Sequence, residues 1–223
     1  MAKFPVVLFD LDGTLTDPKE GITRSIAYAL TRMGRDVPQT NRLLFAIGPP
    51  LRASFATLLE TSNPCEIERA MKLYRERFAT IGLFENTVYP GVPEMLALMK
   101  SMEYKILLAT AKPHVYAQKI LDHFNLLVHF DGVYGSELDG RHQNKGDLLA
   151  HLLECERIDP ANHAVIMIGD RVHDIDAAHA NGCLAMGVTW GYGRELEHQN
   201  ADLICESPFD ISTVLAKRFP RTD

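Results

Sequence analysis

Apolar residues follow two rhythms along this chain, and the rhythm changes twice. The opening stretch, Phe4 to Phe9, reads Phe-Pro-Val-Val-Leu-Phe with no polar interruption. A run of that length with β-branched residues predicts a strand buried on both faces, as in parallel sheets. It ends on Asp10-Leu11-Asp12-Gly13-Thr14. From residue 16 to about residue 84 the spacing turns helical. Ile22, Ile26, Leu30 and Met33 follow a turn at Asp17-Pro18 and predict an amphipathic helix over 19–33, with Gly34 as its stop. A shorter apolar group at Leu43, Leu44, Phe45 and Ile47 leads to Gly48-Pro49-Pro50, and two more helices are expected over 51–60 and 64–82. No strand is expected in this interval.

After Tyr89-Pro90-Gly91 the rhythm changes again, and helices alternate with strands. Helices are predicted over 92–101, 114–123, 145–154, 173–180 and 209–219. Strands are predicted over 104–109, 130–134, 163–168, 184–188 and 202–204, with a Trp-Gly-Tyr-Gly loop after the fourth. Such alternation builds βαβ units and a mostly parallel sheet. The expected fold is α/β: a Rossmann-like core of 1–15 and 85–223, with helices on both faces of its sheet. A small all-helical domain over 16–84 interrupts it after the first strand.

Composition narrows the function. A chain of 223 residues, 46% of them apolar, can bury one sizeable core and a smaller insert. Acids outnumber bases 29 to 23, a net charge of -6, which argues against a nucleic-acid partner. The four cysteines are scattered and form no C-x-x-C pair, so neither a zinc site nor a disulfide frame is expected. The N-terminal apolar run is too brief for a signal peptide, and no stretch approaches the ~18 apolar residues of a membrane span. A cytoplasmic protein without a membrane partner is the expectation.

Chemistry-bearing residues gather at predicted strand ends, where parallel sheets bind ligands. Asp10 and Asp12 follow the first strand. A turn would explain one Asp and Gly13, but not two acids spaced by one apolar residue. Thr110 and Ala111 follow the strand that ends at Ala109; Thr110 could cap a helix, with Pro113 in the first turn, and a helix start can also cradle a phosphate. Lys145 stands at a predicted helix start, where a cation is unfavourable unless it faces anions. Lys112 is a rival for that task. Asp170 and Asp174 follow the strand ending at Ile168, one helical turn apart, and both could serve the helix start alone. If that strand neighbours the first, four carboxylates crowd one mouth and need a counter-ion. An all-oxygen donor set without imidazole or thiolate points to a hard cation, Mg²⁺.

These four motifs, in this order, resemble the haloacid dehalogenase superfamily of aspartate-dependent phosphohydrolases, within it phosphoglycolate phosphatase-like proteins and their nucleotidase-like neighbours. The resemblance implies Asp10 as nucleophile and Asp12 as acid and base, with Thr110, Ala111 and Lys145 around the phosphoryl group. It implies Mg²⁺ on Asp10, Asp170, the Asp12 carbonyl and Asp174, the last directly or through water. Many relatives carry Asn where Ala111 stands here. Thr14 and Asp12 together favour a phosphatase over a sugar phosphomutase, which often has Val at the first position. A non-enzymatic phosphoacceptor module of the receiver type is a further alternative. The insert is expected to cap the mouth and select small phosphate esters, with Arg52 as a candidate for the substrate's distal end. The nine histidines receive no role, and Trp190 is expected to pack into the core.

Overall fold

The structure, a computed structural model, describes residues 5–220. Phe4, the first residue of the expected opening strand, lies outside that range. Two compact units are present, one made of the residues before Asp17 and from Val88 onward, the other of Asp17–Thr87. Among the described residues no helix is long and apolar enough to cross a membrane.

The larger unit opens with β1 (Val6–Phe9), wholly buried as its apolar run predicts. The chain leaves through β2 (Thr16–Asp17) and comes back through β3 (Thr87–Val88), which pair in a two-stranded sheet. Strands of two residues carry too little pattern to be predicted: none was expected over 16–84, where β2 lies, and none at Thr87–Val88.

Between them lie α1 (Lys19–Arg32), a 3-10 turn at Thr40–Ala46, α2 (Leu51–Leu58) and α3 (Pro64–Arg77). Pro64 starts α3 with no N–H to waste, and Asn63 Oδ1 accepts the Cys65 N–H at 3.0 Å. The helix expected over 64–82 is not continuous, since Phe78–Gly82 widens into a π turn. That change barely alters apolar spacing, so the pattern could not show it. Tyr74 stacks on Phe78 at 5.0 Å and meets Phe55 edge-on at 6.1 Å inside this unit. The unit extends past residue 84 because Glu85 belongs to it. Its carboxylate takes Arg77 at 2.7 Å and Arg24 at 2.9 Å, and its carbonyl accepts the Gly21 N–H.

From Val88 the larger unit continues with α4 (Val92–Ser101), β4 (Lys105–Pro113), α5 (His114–His123), β5 (Gly132–Ser136), α6 (Lys145–Cys155) and β6 (Val165–Gly169). It ends with α7 (Val172–Ala180), β7 (Leu184–Val188), β8 (Leu203–Cys205) and α8 (Ile211–Arg218). The six-stranded sheet has the order β5-β4-β1-β6-β7-β8, with every pairing parallel. The chain therefore steps one way from β1 to β4 and β5, then returns across β1 to β6, β7 and β8. Right-handed crossovers put the connecting helices of the two directions on opposite faces. On one face, Leu149 and Leu152 of α6 and Ile175 and Ala178 of α7 pack on Val6, Leu8, Leu107 and Met167. The alternate strand residues, Val7, Phe9, Ile106, Leu108, Ile166 and Ile168, are fully buried too, so the other face is covered as well. The direction reverses between β1 and β6. That reversal opens a crevice at the strands' C-terminal ends.

Candidate active site

Register delivers the acids to this crevice. Phe9 is level with Ile168 on one side and Leu108 on the other, so Asp10 emerges from β1 beside the end of β6 at Gly169, while β4 continues past it. The Asp10 N–H is held by the Ile168 carbonyl at 2.9 Å. Asp10, Asp170 and Asp174 each turn an oxygen to a common point, all within 4.8 Å of one another, and all three are buried. Three carboxyl groups so close can ionise together only with positive charge beside them.

Lys145 supplies part of it. At the first position of α6, whose start is capped by Asn144, its Nζ lies 2.8 Å from Asp10 Oδ1 and 2.8 Å from Asp174 Oδ1. Burial alone would discharge this amine, but the two carboxylates hold its pKa above the ordinary lysine value. Asp174 divides its work. Oδ2 accepts the Arg171 N–H at 3.1 Å, capping the start of α7, while Oδ1 faces Lys145. The cap that the sequence allowed Asp170 belongs to Asp174.

Burial dominates the acids' behaviour. Asp170 is pushed up to about 8 by desolvation, then by Asp174 and Asp10, against the pull of the Tyr192 N–H. Burial also raises Asp174, opposed by Lys145, and raises Asp12, opposed by Lys112. Asp12 Oδ2 meets Lys112 Nζ at 2.7 Å with both side chains buried. Lys112 thus has its own carboxylate and does not compete for the place of Lys145.

Thr110 is buried at the side of this group, but not at a helix start. β4 runs on to Pro113 with a register shift after Thr110, and α5 begins at His114 without a side-chain cap. Pairing with β5 carries the strand past the point where its apolar pattern stops. Thr110 Oγ1 accepts the Lys112 N–H at 3.3 Å, and the Ala111 carbonyl accepts the Ser136 hydroxyl at 2.7 Å. Residues 110 and 112 share a strand face by the two-residue period, a signal for Lys112 that reading the strand only to 109 concealed.

The loop after β7 was not foreseen as part of the site. Tyr192 and Gly193 N–H groups bind Asp170 Oδ2 at 2.6 and 3.3 Å. Trp190 is half-buried rather than in the core, because its indole N–H donates to the Thr14 carbonyl at 3.0 Å. Alternating glycines in the Trp-Gly-Tyr-Gly run were the available sign of close backbone approach. Gly13 shows the same crowding: at φ +88°, a Cβ there would come within 2.4 Å of Asp170 Oδ2. Arg52 belongs to the helical unit, near the start of α2, and its exposed guanidinium pairs with Glu68.

A divalent cation fits the donors present. Asp170 Oδ1 and Asp12 Oδ1 are buried with no hydrogen-bond partner among the described residues, and the cluster offers only oxygen. Such hard donors suit Mg²⁺.

Comparison with known proteins identifies the family. The model of the haloacid dehalogenase-like hydrolases matches residues 7–188. A 5′-nucleotidase of Pseudomonas aeruginosa is 46% identical over 195 residues, 87% of each chain. The tyrosine-protein kinase PtkA of Mycobacterium tuberculosis is 36% identical over 85% of this chain and 63% of its own length. The crystal structure of a predicted phosphatase from Clostridium acetobutylicum superposes with a TM-score of 0.89 at 36% identity, covering 99% of this chain and all of that one. With a family match across most of its length and the acids converging at the sheet's reversal, the chain belongs to the haloacid dehalogenase-like hydrolases, as a phosphatase of that family.

Proposed function

We propose that the protein is a Mg²⁺-dependent phosphomonoesterase that works through an aspartyl-phosphate on Asp10, with 5′-nucleotides as its first candidate substrates. The observation that carries this reading is the convergence of Asp10, Asp170 and Asp174 on one point, with Lys145 bridging two of them. The substrate class rests on the likeness to a 5′-nucleotidase, and phosphoglycolate is the runner-up on the resemblance of the sequence motifs.

Asp10 attacks phosphorus in line, and the ester oxygen leaves with a proton from Asp12; water then attacks the acyl-phosphate as Asp12 takes a proton back. Burial raises the Asp12 pKa above the ordinary carboxylate value, which suits a group that must hold a proton. Lys112, 2.7 Å away, orients that carboxyl. Thr110 Oγ1 already accepts the Lys112 N–H, so its hydroxyl proton is left to donate to a phosphoryl oxygen. Lys145 and the Ala111 backbone N–H add positive charge around the same group. Asp10, Asp170, Asp174 and the Asp12 carbonyl would hold Mg²⁺, which when bound screens the charge between the carboxylates and the phosphate. The helical unit would act as a cap that selects small esters, with Arg52 meeting the substrate's distal end. The expected setting is the cytoplasm.

The test is phosphate release from a panel of 5′-nucleotides, phosphoglycolate, sugar phosphates and p-nitrophenyl phosphate, with Mg²⁺ and with EDTA. Turnover should require Mg²⁺ and vanish in Asp10→Asn while the fold is retained. An active Asp10→Asn variant overturns the nucleophile. The kinase name of one relative makes group transfer the competing outcome, and so does a phosphomutase; multiple-turnover release of inorganic phosphate in water separates hydrolysis from both.

A further inference from the structure

Asp170, in the turn between β6 and α7, is held mainly by the loop after β7. Tyr192 and Gly193 N–H groups occupy Oδ2 and leave Oδ1 as the unpaired oxygen. Its backbone is gripped as well. His198 Nε2 lies 2.7 Å from the Asp170 carbonyl, and a carbonyl only accepts, so His198 carries its proton on Nε2. The ring is 3% exposed and packs on Gly187 of β7. A Cβ on Gly193 would fall 1.6 Å from the same carbonyl oxygen, so the loop backbone presses directly on Asp170. The neighbouring Glu197 places Oε2 3.0 Å from Arg171 Nε and 3.2 Å from the Val172 N–H, and its Oε1 accepts the Arg194 N–H at 3.2 Å. One carboxylate thereby ties the loop to the first residue of α7 and to the residue after Asp170.

We propose that Glu197 and His198 are positioning residues for the cation site, setting the backbone and rotamer of Asp170 so that Oδ1 is presented beside Asp10 and Asp174. This rests on the reading of Asp170 as a cation ligand. Neither side chain reaches the cluster itself. Their action runs through the Asp170 carbonyl and the start of α7. Groups that orient metal ligands in this way typically change affinity by about 10- to 100-fold when removed.

The experiment uses the full chain without substrate and Mn²⁺ as the probe, with free Mn²⁺ read by electron paramagnetic resonance, so that binding is measured apart from turnover. His198→Leu should weaken Mn²⁺ binding by about tenfold or more. His198→Gln, whose amide can donate to the same carbonyl, should recover most of the loss. Glu197→Gln, which keeps shape but weakens its three contacts, should shift binding in the same direction. In hydrolysis assays the half-saturating Mg²⁺ concentration should rise more than kcat at saturating Mg²⁺ falls. Folded His198→Leu and Glu197→Gln proteins that bind Mn²⁺ within twofold of wild type would reduce the loop to a packing role and overturn the proposal. Should His198→Leu fail to fold, Glu197→Gln decides it. A wild-type protein that takes up no Mn²⁺ removes the cation reading itself and this inference with it. Wild-type binding with unchanged variants removes only the positioning role.

Discussion

Asp170→Asn tests the electrostatics of the site most directly, because it removes one charge and almost no volume. In the metal-free protein the Asp170 pKa rises from 3.8 to about 8, chiefly through burial and then through Asp174 and Asp10. A raised carboxyl pKa costs stability as pH rises. The cost is absent below 3.8, grows between 3.8 and about 8, and is complete above that. At pH 7 about three pKa units separate solution pH from the unfolded value, which makes the cost about 4 kcal/mol. An asparagine carries no such cost. Its carbonyl can keep the Tyr192 and Gly193 N–H bonds, while its amide takes the place of Oδ1 near two carboxylates. An imperfectly paired amide gives back about 1–3 kcal/mol. The expected net gain in EDTA at pH 7 is about 1–3 kcal/mol, or roughly 3–10 °C in Tm for a chain of this size. The gain should shrink as pH falls toward 4. Adding Mg²⁺ should stabilise wild type and leave Asp170→Asn unmoved, since the cation binds the ionised acids. Urea and thermal unfolding from pH 4 to 9, with EDTA and with Mg²⁺, make the measurement. A metal-free Asp170→Asn protein less stable than wild type at pH 7 would refute the argument, because Asp170 would then be ionised and satisfied without a metal.

Three further outcomes follow from the contacts described. Lys145→Met leaves Asp10 and Asp174 without their shared cation; urea unfolding should show a loss of about 3–5 kcal/mol, and phosphate release should fall below detection. Gly13→Ala demands a left-handed backbone of an L-residue and drives a methyl group into Asp170; Mg²⁺-induced stabilisation should be lost, as a Tm comparison with and without the ion would show. Arg77 hydrogen bonding, opposed by desolvation and aided by Arg24, holds the Glu85 carboxyl below 4.5, so its contribution to the helical unit is present at neutral pH and lost as pH falls through the folded value. Glu85→Gln should therefore lower the urea midpoint at pH 7, with the difference closing below pH 4.5.

Legibility differed by the kind of signal. β1 and β6 were readable because strands buried on both faces are apolar throughout, and each stops sharply at an acidic motif. The alternation after Val92 was readable because helix and strand periods differ by nearly a factor of two. Lys145 could be picked out because a cation at a helix start contradicts the dipole unless anions face it, and Asp10 and Asp174 do. Boundaries were harder. β4 outruns its apolar segment because pairing with β5 continues through polar positions. Trp190 shows the limit of composition: a single large aromatic suggests a core, while the indole N–H instead ties a loop to Thr14. Glu197 and His198 left no mark, since an acid and a histidine in a polar loop look solvated.

The chain's own pattern thus determined which of the longer segments are strands, and that three of them, β1, β4 and β6, lead into the residues expected to do phosphoryl chemistry. It could do so because backbone period and burial are local properties, written within ten residues of one another. Which strands lie side by side was decided only in three dimensions. The placement of β1 between β4 and β6 turned acids 160 residues apart into one cluster, and the loop folded back from β7 left one oxygen of Asp170 unpaired within it. Those contacts depend on distances across the sheet, and no spacing along the chain encodes them.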